Sequence, residues 1–264
     1  MIKTMKYRSL CATLMLILLS ASCLNTRAEG ANRMEVGADR MAAGADRMVA
    51  GADRMAAGTT VSSRDIEHAG VDKYFYSEPI PDAVFARMRG KSYKSYCTVK
   101  RSDLRYVRVL HYNIKGEIKV GELVCHKSIA ADLVDIFRNL YRAKYPIERM
   151  ELIDNYGADD ERAMEANNTS CFNFRYVAGT KVPSNHSWGK AIDINPLYNP
   201  YVRRGRNGKI QVSPQNGRQY ADRSKDFKYK IDRNDLCYRE FIRHGFTWGG
   251  GWRRVKDYQH FEKK

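Results

Sequence analysis

The stretch Ser184-Asn-His-Ser-Trp-Gly-Lys-Ala-Ile-Asp-Ile-Asn195 decides how this chain is interpreted. It places His186 seven residues before Asp193, with Gly189 between them and a short apolar run around the aspartate. A surface loop that enters a strand would explain this pattern without any chemistry. Imidazole and carboxylate are also ligands of catalytic zinc, which takes three protein ligands and keeps an open position for water. The stretch therefore predicts either a loop-to-strand junction or part of a metal site.

The C-terminal segment Trp248 to Lys264 supplies the residue types that such a site still lacks. His260 is the candidate third ligand. Asp257, three residues earlier, is the candidate acceptor for the proton of the metal-bound water, and Glu262 is the fallback for that role. Each residue alone is more often a surface or packing residue. Together they provide the number and the types of side chain that a catalytic zinc site requires.

These residues give the chain a resemblance to a known family. It resembles the zinc D-alanyl-D-alanine carboxypeptidases, which include the vancomycin-resistance D,D-peptidases and the L-alanyl-D-glutamate endopeptidases of phage endolysins. The resemblance is carried by Ser184-x-His186-x-x-Gly189-x-Ala191-x-Asp193 followed by Asp257-x-x-His260. It runs from about Leu104 to the C-terminus, and it implies the fold of the zinc D,D-peptidases.

The resemblance implies a role for each residue of the pattern. His186, Asp193 and His260 match the zinc ligands of the family, so Zn²⁺ is the implied cofactor. Asp257 matches its catalytic acidic residue, which many members replace by Glu. Arg175 matches an arginine that contacts substrate in relatives and helps to stabilise the tetrahedral intermediate, which makes it both a catalytic and a substrate-binding candidate.

Two further substrate-binding candidates come from the same comparison. Ser184 matches the serine two residues before the first ligand. Trp248 lies in Phe246 to Trp252, which resembles the Gly/Trp stretch of the endopeptidase-like branch. Packing in the core is the competing explanation for at least one of Trp248 and Trp252.

The expected activity is hydrolysis of a peptide bond in peptidoglycan stem peptides, by zinc-activated water with Asp257 as general base. Whether the bond is that of a D,D-carboxypeptidase or of an L-Ala-D-Glu endopeptidase stays open, and the resemblance of the stretch Phe246 to Trp252 and of Asp257 favours the endopeptidase-like branch. The loop Pro196 to Asp226 is expected to shape the pocket. The main alternative is a non-catalytic cell-wall-binding module that keeps the peptidase fold. A basic nuclease with a His/Asp/His metal site lacks the phosphate-binding histidine motif it would need.

Apolar periodicity predicts a mixed architecture. Two strands, Leu104 to Ile114 and Glu117 to Cys125, flank a turn at Lys115-Gly116, and a third strand is predicted at Ile147 to Tyr156. Helices are predicted from Ser128 to Tyr141 and from Asn234 to His244, the second ended by Gly245. Strands and helices without regular alternation predict an α+β fold, with a small antiparallel sheet and flanking helices.

The N-terminus predicts export. Basic residues precede an apolar run from Leu10 to Leu19, as in a secretory signal peptide over residues 1–22. The run is shorter than the roughly 20 residues of a spanning helix. Cys23 ends a stretch that resembles a bacterial lipoprotein signal and is the predicted lipidation site, whereas cleavage after Ala28 is the alternative. The expected location is the periplasm or the outer membrane, with a lipid anchor as the only membrane contact.

Residues 23–59 contain four copies of a seven-residue unit, such as Gly37-Ala-Asp-Arg-Met-Ala-Ala43. A glycine in each copy disfavours a helix by about 1 kcal/mol relative to alanine. This region is therefore predicted to be a linker that precedes a peptidase domain at residues 60–264, a length sufficient for one core.

The formal net charge of +16 suggests a polyanionic partner. The basic residues are scattered along the chain, which indicates a solvated surface, and no nucleic-acid partner is predicted. Peptidoglycan peptide stems are the expected partner. Four cysteines follow the signal, Cys97, Cys125, Cys171 and Cys237, and they are either free or paired in one of three ways.

Overall fold

Residues 55–177, 179–205 and 208–264 are described by the structure, which is a computed structural model. The predicted signal peptide, the predicted lipidation site Cys23 and most of the repeat lie outside these residues. The end of the predicted linker packs on the domain, since Arg108 donates a hydrogen bond of 2.6 Å to the carbonyl of Met55. Within the described ranges, no helix is long and apolar enough to cross a membrane.

The longest strands form an antiparallel hairpin. Strands β2 (Leu104–Tyr112) and β3 (Ile118–His126) pair along their whole length, and β1 (Tyr76–Pro79) adds to the outer edge of β2. The side chain of Asn113 accepts hydrogen bonds from two backbone N–H groups of the turn, and Gly116 adopts a positive φ of 79° there. The two strands and the turn predicted from the sequence are confirmed.

Helix α3 (Ala130–Arg142) covers this sheet and forms the main core with it. Its buried side chains are Ala130, Leu133, Ile136, Phe137 and Leu140, which recur at helical spacing on one face. The helix predicted from Ser128 is confirmed, with its first residue two positions later. The other helices are α1 (Ser63–Ala69), α2 (Asp82–Met88), α4 (Asp160–Glu165) and α5 (Leu236–Arg243).

Helix α5 confirms the prediction of a short helix before Gly245. The side chain of Asp235 caps its N-terminus by accepting hydrogen bonds from the N–H groups of Cys237 and Tyr238, at 2.9 and 3.4 Å. Gly245 follows its C-terminus with φ of 80°. All four cysteines left open by the sequence are free thiols.

Two small antiparallel sheets lie in the C-terminal half. One has the order β4-β9-β7, from Ala191–Asp193, His260–Glu262 and Thr247–Trp248. The other has the order β6-β5-β8, from Ile210–Ser213, Tyr201–Arg204 and Val255–Asp257. Mixed helices and small antiparallel sheets agree with the predicted α+β class.

The predicted strand Ile147 to Tyr156 is wrong. Its first part makes only isolated bridges, and its last four residues, Ile153–Tyr156, form a 3-10 turn. Asparagine side chains take the place of a neighbouring strand at two positions. Asn195 accepts a hydrogen bond from the N–H of Glu148, and Asn168 accepts one from the N–H of Glu151. The apolar residues of the segment are buried, but its backbone is held by asparagine side chains and by separate backbone hydrogen bonds and not by a ladder.

Candidate active site

His186 is positioned by a short 3-10 turn, Asn185–Trp188. The hydroxyl of Ser184 caps this turn by accepting a hydrogen bond from the N–H of His186, at 3.3 Å. Gly189 ends the turn with φ of 65°, a conformation that glycine adopts without the strain of a side chain. A Cβ atom at Gly189 would also lie 2.7 Å from the backbone nitrogen of His126. The bend predicted at Gly189 is present, and the site tolerates no side chain there.

Asp193 and His260 are brought together by strand pairing. They are direct partners in the antiparallel register of β4 and β9, so their side chains extend from the same face of the sheet. Both His186 and His260 are buried. The carboxylate of Asp193 lies 3.1 Å from Nδ1 of His260 through one oxygen and 3.3 Å from Nε2 of His186 through the other.

The three predicted ligands therefore form a compact triangle, completed by the 3.2 Å between Nε2 of His186 and Nδ1 of His260. Ligands at zinc-to-donor distances of about 2.0–2.1 Å in a tetrahedron are separated by about 3.3 Å. His186, Asp193 and His260 could hold a metal ion. Two imidazole nitrogens and one carboxylate oxygen fit zinc in donor type and in spacing.

The protonation of both histidines is set by the groups behind them. Nδ1 of His186 lies 2.7 Å from the carbonyl of Cys171 and must donate to it, which leaves Nε2 as a lone pair. Nε2 of His260 lies 3.0 Å from a carboxylate oxygen of Glu262 and donates to it, so Nδ1 is the ring atom that faces Asp193 and His186. Glu262 therefore supports a candidate ligand and is not placed to act as the fallback proton acceptor.

Two ring nitrogens that face each other beside a carboxylate create a strong demand for positive charge. Burial alone would lower the pKa of His260, but hydrogen bonds to Asp193 and Glu262 outweigh it and raise the pKa to about 10. Burial would raise the pKa of Asp193, yet the neighbouring His186 and His260 hold it well below its ordinary value. Without a metal, a proton on Nδ1 of His260 meets this demand, and a metal ion at the centre of the triangle would replace that proton.

Asp257 ends strand β8 at the edge of the same site. Burial raises the pKa of its carboxyl group to about 6, and the charge of Asp193 adds to the effect. Its Oδ1 atom is buried and has no hydrogen-bond partner among the described residues. A buried carboxylate with a free oxygen can accept a proton from water.

The Gly/Trp stretch packs closely against Asp257 and His260. A Cβ atom at Gly249 would lie 2.7 Å from the carbonyl oxygen of Asp257 and 3.2 Å from Cβ of His260. At Gly250 it would lie 2.2 Å from the ring of Trp248. The glycines that stood out in the sequence therefore permit close approach of the backbone to the site.

Trp248 does not lie where the resemblance suggested. Its indole N–H donates to the carbonyl of Tyr258 at 2.9 Å, and its ring packs on Tyr238 and on the core. Trp252 lines the cavity instead, with its ring centroid 5.2 Å from that of His260. The substrate-binding role assigned to Trp248 is not supported by its position, because the two-residue strand β7 turns it inward.

A cavity of about 590 Å³ opens in front of the triangle. Arg175 and Ser184, the other predicted substrate-binding residues, line it. The guanidinium of Arg175 forms an ion pair with Asp160, and its backbone N–H donates to Ser187 Oγ at 2.8 Å. The remaining lining residues are Asp159, Asp160, Glu161, Met164, Val177, Asn185, Tyr201, Arg203, Gln211, Ser213, Trp252, Gln259 and Glu262, beside the triangle and Asp257.

Several of these residues were missed by the sequence analysis, which expected the loop Pro196 to Asp226 to shape the pocket without naming side chains. The structure shows a β5–β6 hairpin there, and its four inward residues line the cavity: Tyr201, Arg203, Gln211 and Ser213. Alternation of polar residues with Val202 and Val212 on either side of Gly205 and Gly208 is the signal that could have predicted the hairpin.

Comparison with known proteins bears on this site directly. The model of a family described as D-alanyl-D-alanine carboxypeptidase matches residues 178–263. The resemblance recognised in the sequence motif is confirmed over these residues. They contain the whole triangle and Asp257, whereas Arg175 lies before them. No curated protein and no solved structure matches the chain.

Proposed function

We propose that the protein is a zinc-dependent peptidase that hydrolyses a peptide bond in peptidoglycan stem peptides. The observation that carries this proposal is the triangle of His186, Asp193 and His260, whose free donor atoms lie 3.1–3.3 Å apart. Zinc held there would lower the pKa of a bound water to about 7 and polarise the substrate carbonyl. The match to a peptidase family supports the choice of reaction.

Asp257 is the proposed general base. Its free Oδ1 accepts a proton from the attacking water, and the same carboxyl group then delivers that proton to the leaving amine. A pKa of about 6 suits both steps, because the group is ionised at neutral pH and yet is basic enough to take the proton.

Arg175 is the proposed electrostatic partner of the substrate carbonyl. Its contact with Asp160 and the hydrogen bond from its backbone to Ser187 fix the guanidinium at the cavity wall before substrate arrives. A fixed cation of this kind stabilises the negative oxygen of the transition state without reorganisation. Ser184 lines the same wall, and its hydroxyl supports His186.

The proposed place of action is the cell wall. Export through the signal at residues 1–22 and lipidation at Cys23 would bring the domain to peptidoglycan, with no nucleic-acid partner. These features lie outside the described residues and stay predictions.

The test is mass spectrometry of purified peptidoglycan fragments incubated with the chain without its predicted signal, with and without a chelator. We expect a product that disappears with chelator and with His186→Ala. His68→Ala, an exposed histidine outside the site, is the matched control and should change nothing. The mass of the product distinguishes D,D-carboxypeptidase from L-Ala-D-Glu endopeptidase cleavage.

Two other outcomes are informative. Zinc bound at the site without any product would favour the wall-binding alternative. A protein that binds no zinc would refute the metal site.

A further inference from the structure

The β5–β6 hairpin gives one wall of the cavity a defined chemistry. In its antiparallel register Tyr201 pairs with Ser213, and Arg203 pairs with Gln211. Residues two apart on a strand and their direct cross-strand partners extend from the same face. All four side chains therefore share one face, and all four line the cavity in front of the triangle.

This wall is continuous with the strand that carries the proposed base. Tyr201 is also the register partner of Asp257, because β5 pairs with β8 on its other side. Strands rise about 3.3 Å per residue, so the backbone of Arg203 lies about 7 Å further along β5 than that of Tyr201. A peptide bond held at Asp257 would thus have Arg203 within reach of the next groups of the substrate.

Apart from Asp257, the proposed base, the other charged side chains of the cavity already have partners within the described residues. Arg175 is paired with Asp160, and Asp193 contacts both histidines. Asp159 caps helix α4 through the N–H of Arg162. Glu161 accepts from Ser213 and from the N–H of Gln215, and Glu262 accepts from Asn185 and His260.

Arg203 differs from these groups. Its guanidinium contacts the phenol of Tyr201, and no carboxylate among the described residues pairs with it. It is exposed, as is its cross-strand neighbour Gln211. An arginine fork beside an amide donor is the arrangement that binds a carboxylate through two parallel hydrogen bonds.

We propose that Arg203 and Gln211 form a subsite for a free carboxylate of the peptide substrate, on the hairpin side of the bond that is cut. The proposal rests on the proposed peptidase function and deepens it by naming a feature of the substrate. The carboxylate is either the chain-terminal one or one carried within the stem peptide. The subsite would select stem peptides whose carboxylate at this place is free over those in which it is amidated.

The test combines variants of Arg203 with matched substrates in the zinc-loaded protein. Two synthetic stem peptides carry either the terminal or the internal carboxylate as a carboxamide, and a third has both carboxylates free. We expect wild type to prefer the free peptide over one of the amides by about tenfold or more in kcat/KM. Arg203→Gln should abolish this preference, with the loss mainly in KM, and Arg203→Lys should restore part of it.

Arg204→Gln is the matched control, because its side chain extends from the opposite face of β5 and does not line the cavity. It should keep the wild-type preference. The amide peptide for which wild type has the lower kcat/KM identifies which carboxylate is bound. Thermal unfolding of Arg203→Gln checks that the hairpin remains folded.

The proposal is overturned if Arg203→Gln lowers hydrolysis of all three peptides equally, or if wild type does not distinguish them. Peptide affinity is measured in parallel by tryptophan fluorescence with Asp257→Asn, which does not require hydrolysis. If Asp257→Asn binds the free peptide more tightly than an amide while the wild type cleaves none of the three, the peptidase is refuted and the subsite is kept. The two failures are therefore distinct. Equal affinities for all three peptides would refute the subsite.

Discussion

Nε2 of His186 and Nδ1 of His260 face each other across 3.2 Å, and the second nitrogen of each ring is already bound to an acceptor. Neither ring can turn or change tautomer without losing a buried hydrogen bond. The protein therefore fixes two ring nitrogens in advance around one point, where a proton or a metal ion satisfies both. This preorganisation makes the outer partners as informative to test as the candidate ligands.

Glu262→Ala should weaken zinc binding by about 10–100-fold, because His260 loses the acceptor that fixes its tautomer and ring orientation. Glu262→Gln keeps an oxygen acceptor and should lose less zinc affinity than Glu262→Ala. Zinc affinity is measured by competition with a chromogenic chelator. Equal affinity in Glu262→Ala and wild type would mean that Glu262 does not support the site.

Asp257→Asn should lower hydrolysis by about 10²–10⁴-fold while bound zinc is retained, because the ligand atoms are untouched. The ionised carboxylate is the active form. Since burial raises the pKa of Asp257 to about 6, activity of the wild type should fall as pH drops through that value. A bound cation lowers the pKa, so the acid limb should lie at or below pH 6. Full activity of Asp257→Asn at neutral pH would exclude Asp257 as the base.

Gly189→Ala should destabilise the fold by about 3 kcal/mol or more, from a left-handed backbone and a clash with the backbone of His126. Gly157→Ala is the matched control, since Gly157 has the same left-handed backbone, with φ of 73°, and an added Cβ would meet only the Arg162 side chain at 3.8 Å. It should cost only about 1–2 kcal/mol. Urea unfolding measures both, and equal losses would show that the contact with β3 is unimportant.

His111 should make the fold less stable in mild acid. It is buried, its Nδ1 donates to the carbonyl of Ile147, and burial lowers its pKa to about 4. The unfolded chain, with a pKa of about 6.5, binds the proton more readily, so this stability is present above pH 6.5 and is lost as pH falls towards 4. Between about pH 7 and pH 5, wild type should lose about 2 kcal/mol more than His111→Gln. Identical losses in urea unfolding would contradict this assignment.

The triangle of candidate ligands was predictable because each residue lies in a short motif whose spacing matches a known chemistry. Residues 178–263 hold that motif, and the family match covers the same part of the chain. The hairpin β2–β3 and helices α3 and α5 were predictable from local periodicity and turn chemistry, which need no knowledge of distant contacts.

The features that the sequence analysis did not predict depend on contacts between distant segments. Asn168 and Asn195 accept hydrogen bonds from the backbone of residues 148–151, which forms no strand although the apolar residues of the predicted strand are buried. Trp248 and Trp252 flank the same glycines, and contacts with distant residues place Trp248 on the core and Trp252 at the cavity. The role of Glu262 likewise follows from its distance to His260 and not from its type.

The candidate ligands Asp193 and His260 belong to one small sheet, whereas Asp257 and the hairpin wall belong to the other. The two sheets are joined at the site by Tyr258 and Gln259, between the end of β8 and the start of β9. The proposed metal site and the proposed carboxylate subsite therefore lie on different pieces of backbone. Under this proposal, exchange of the β5–β6 hairpin would change the choice of substrate and leave the candidate metal ligands in place.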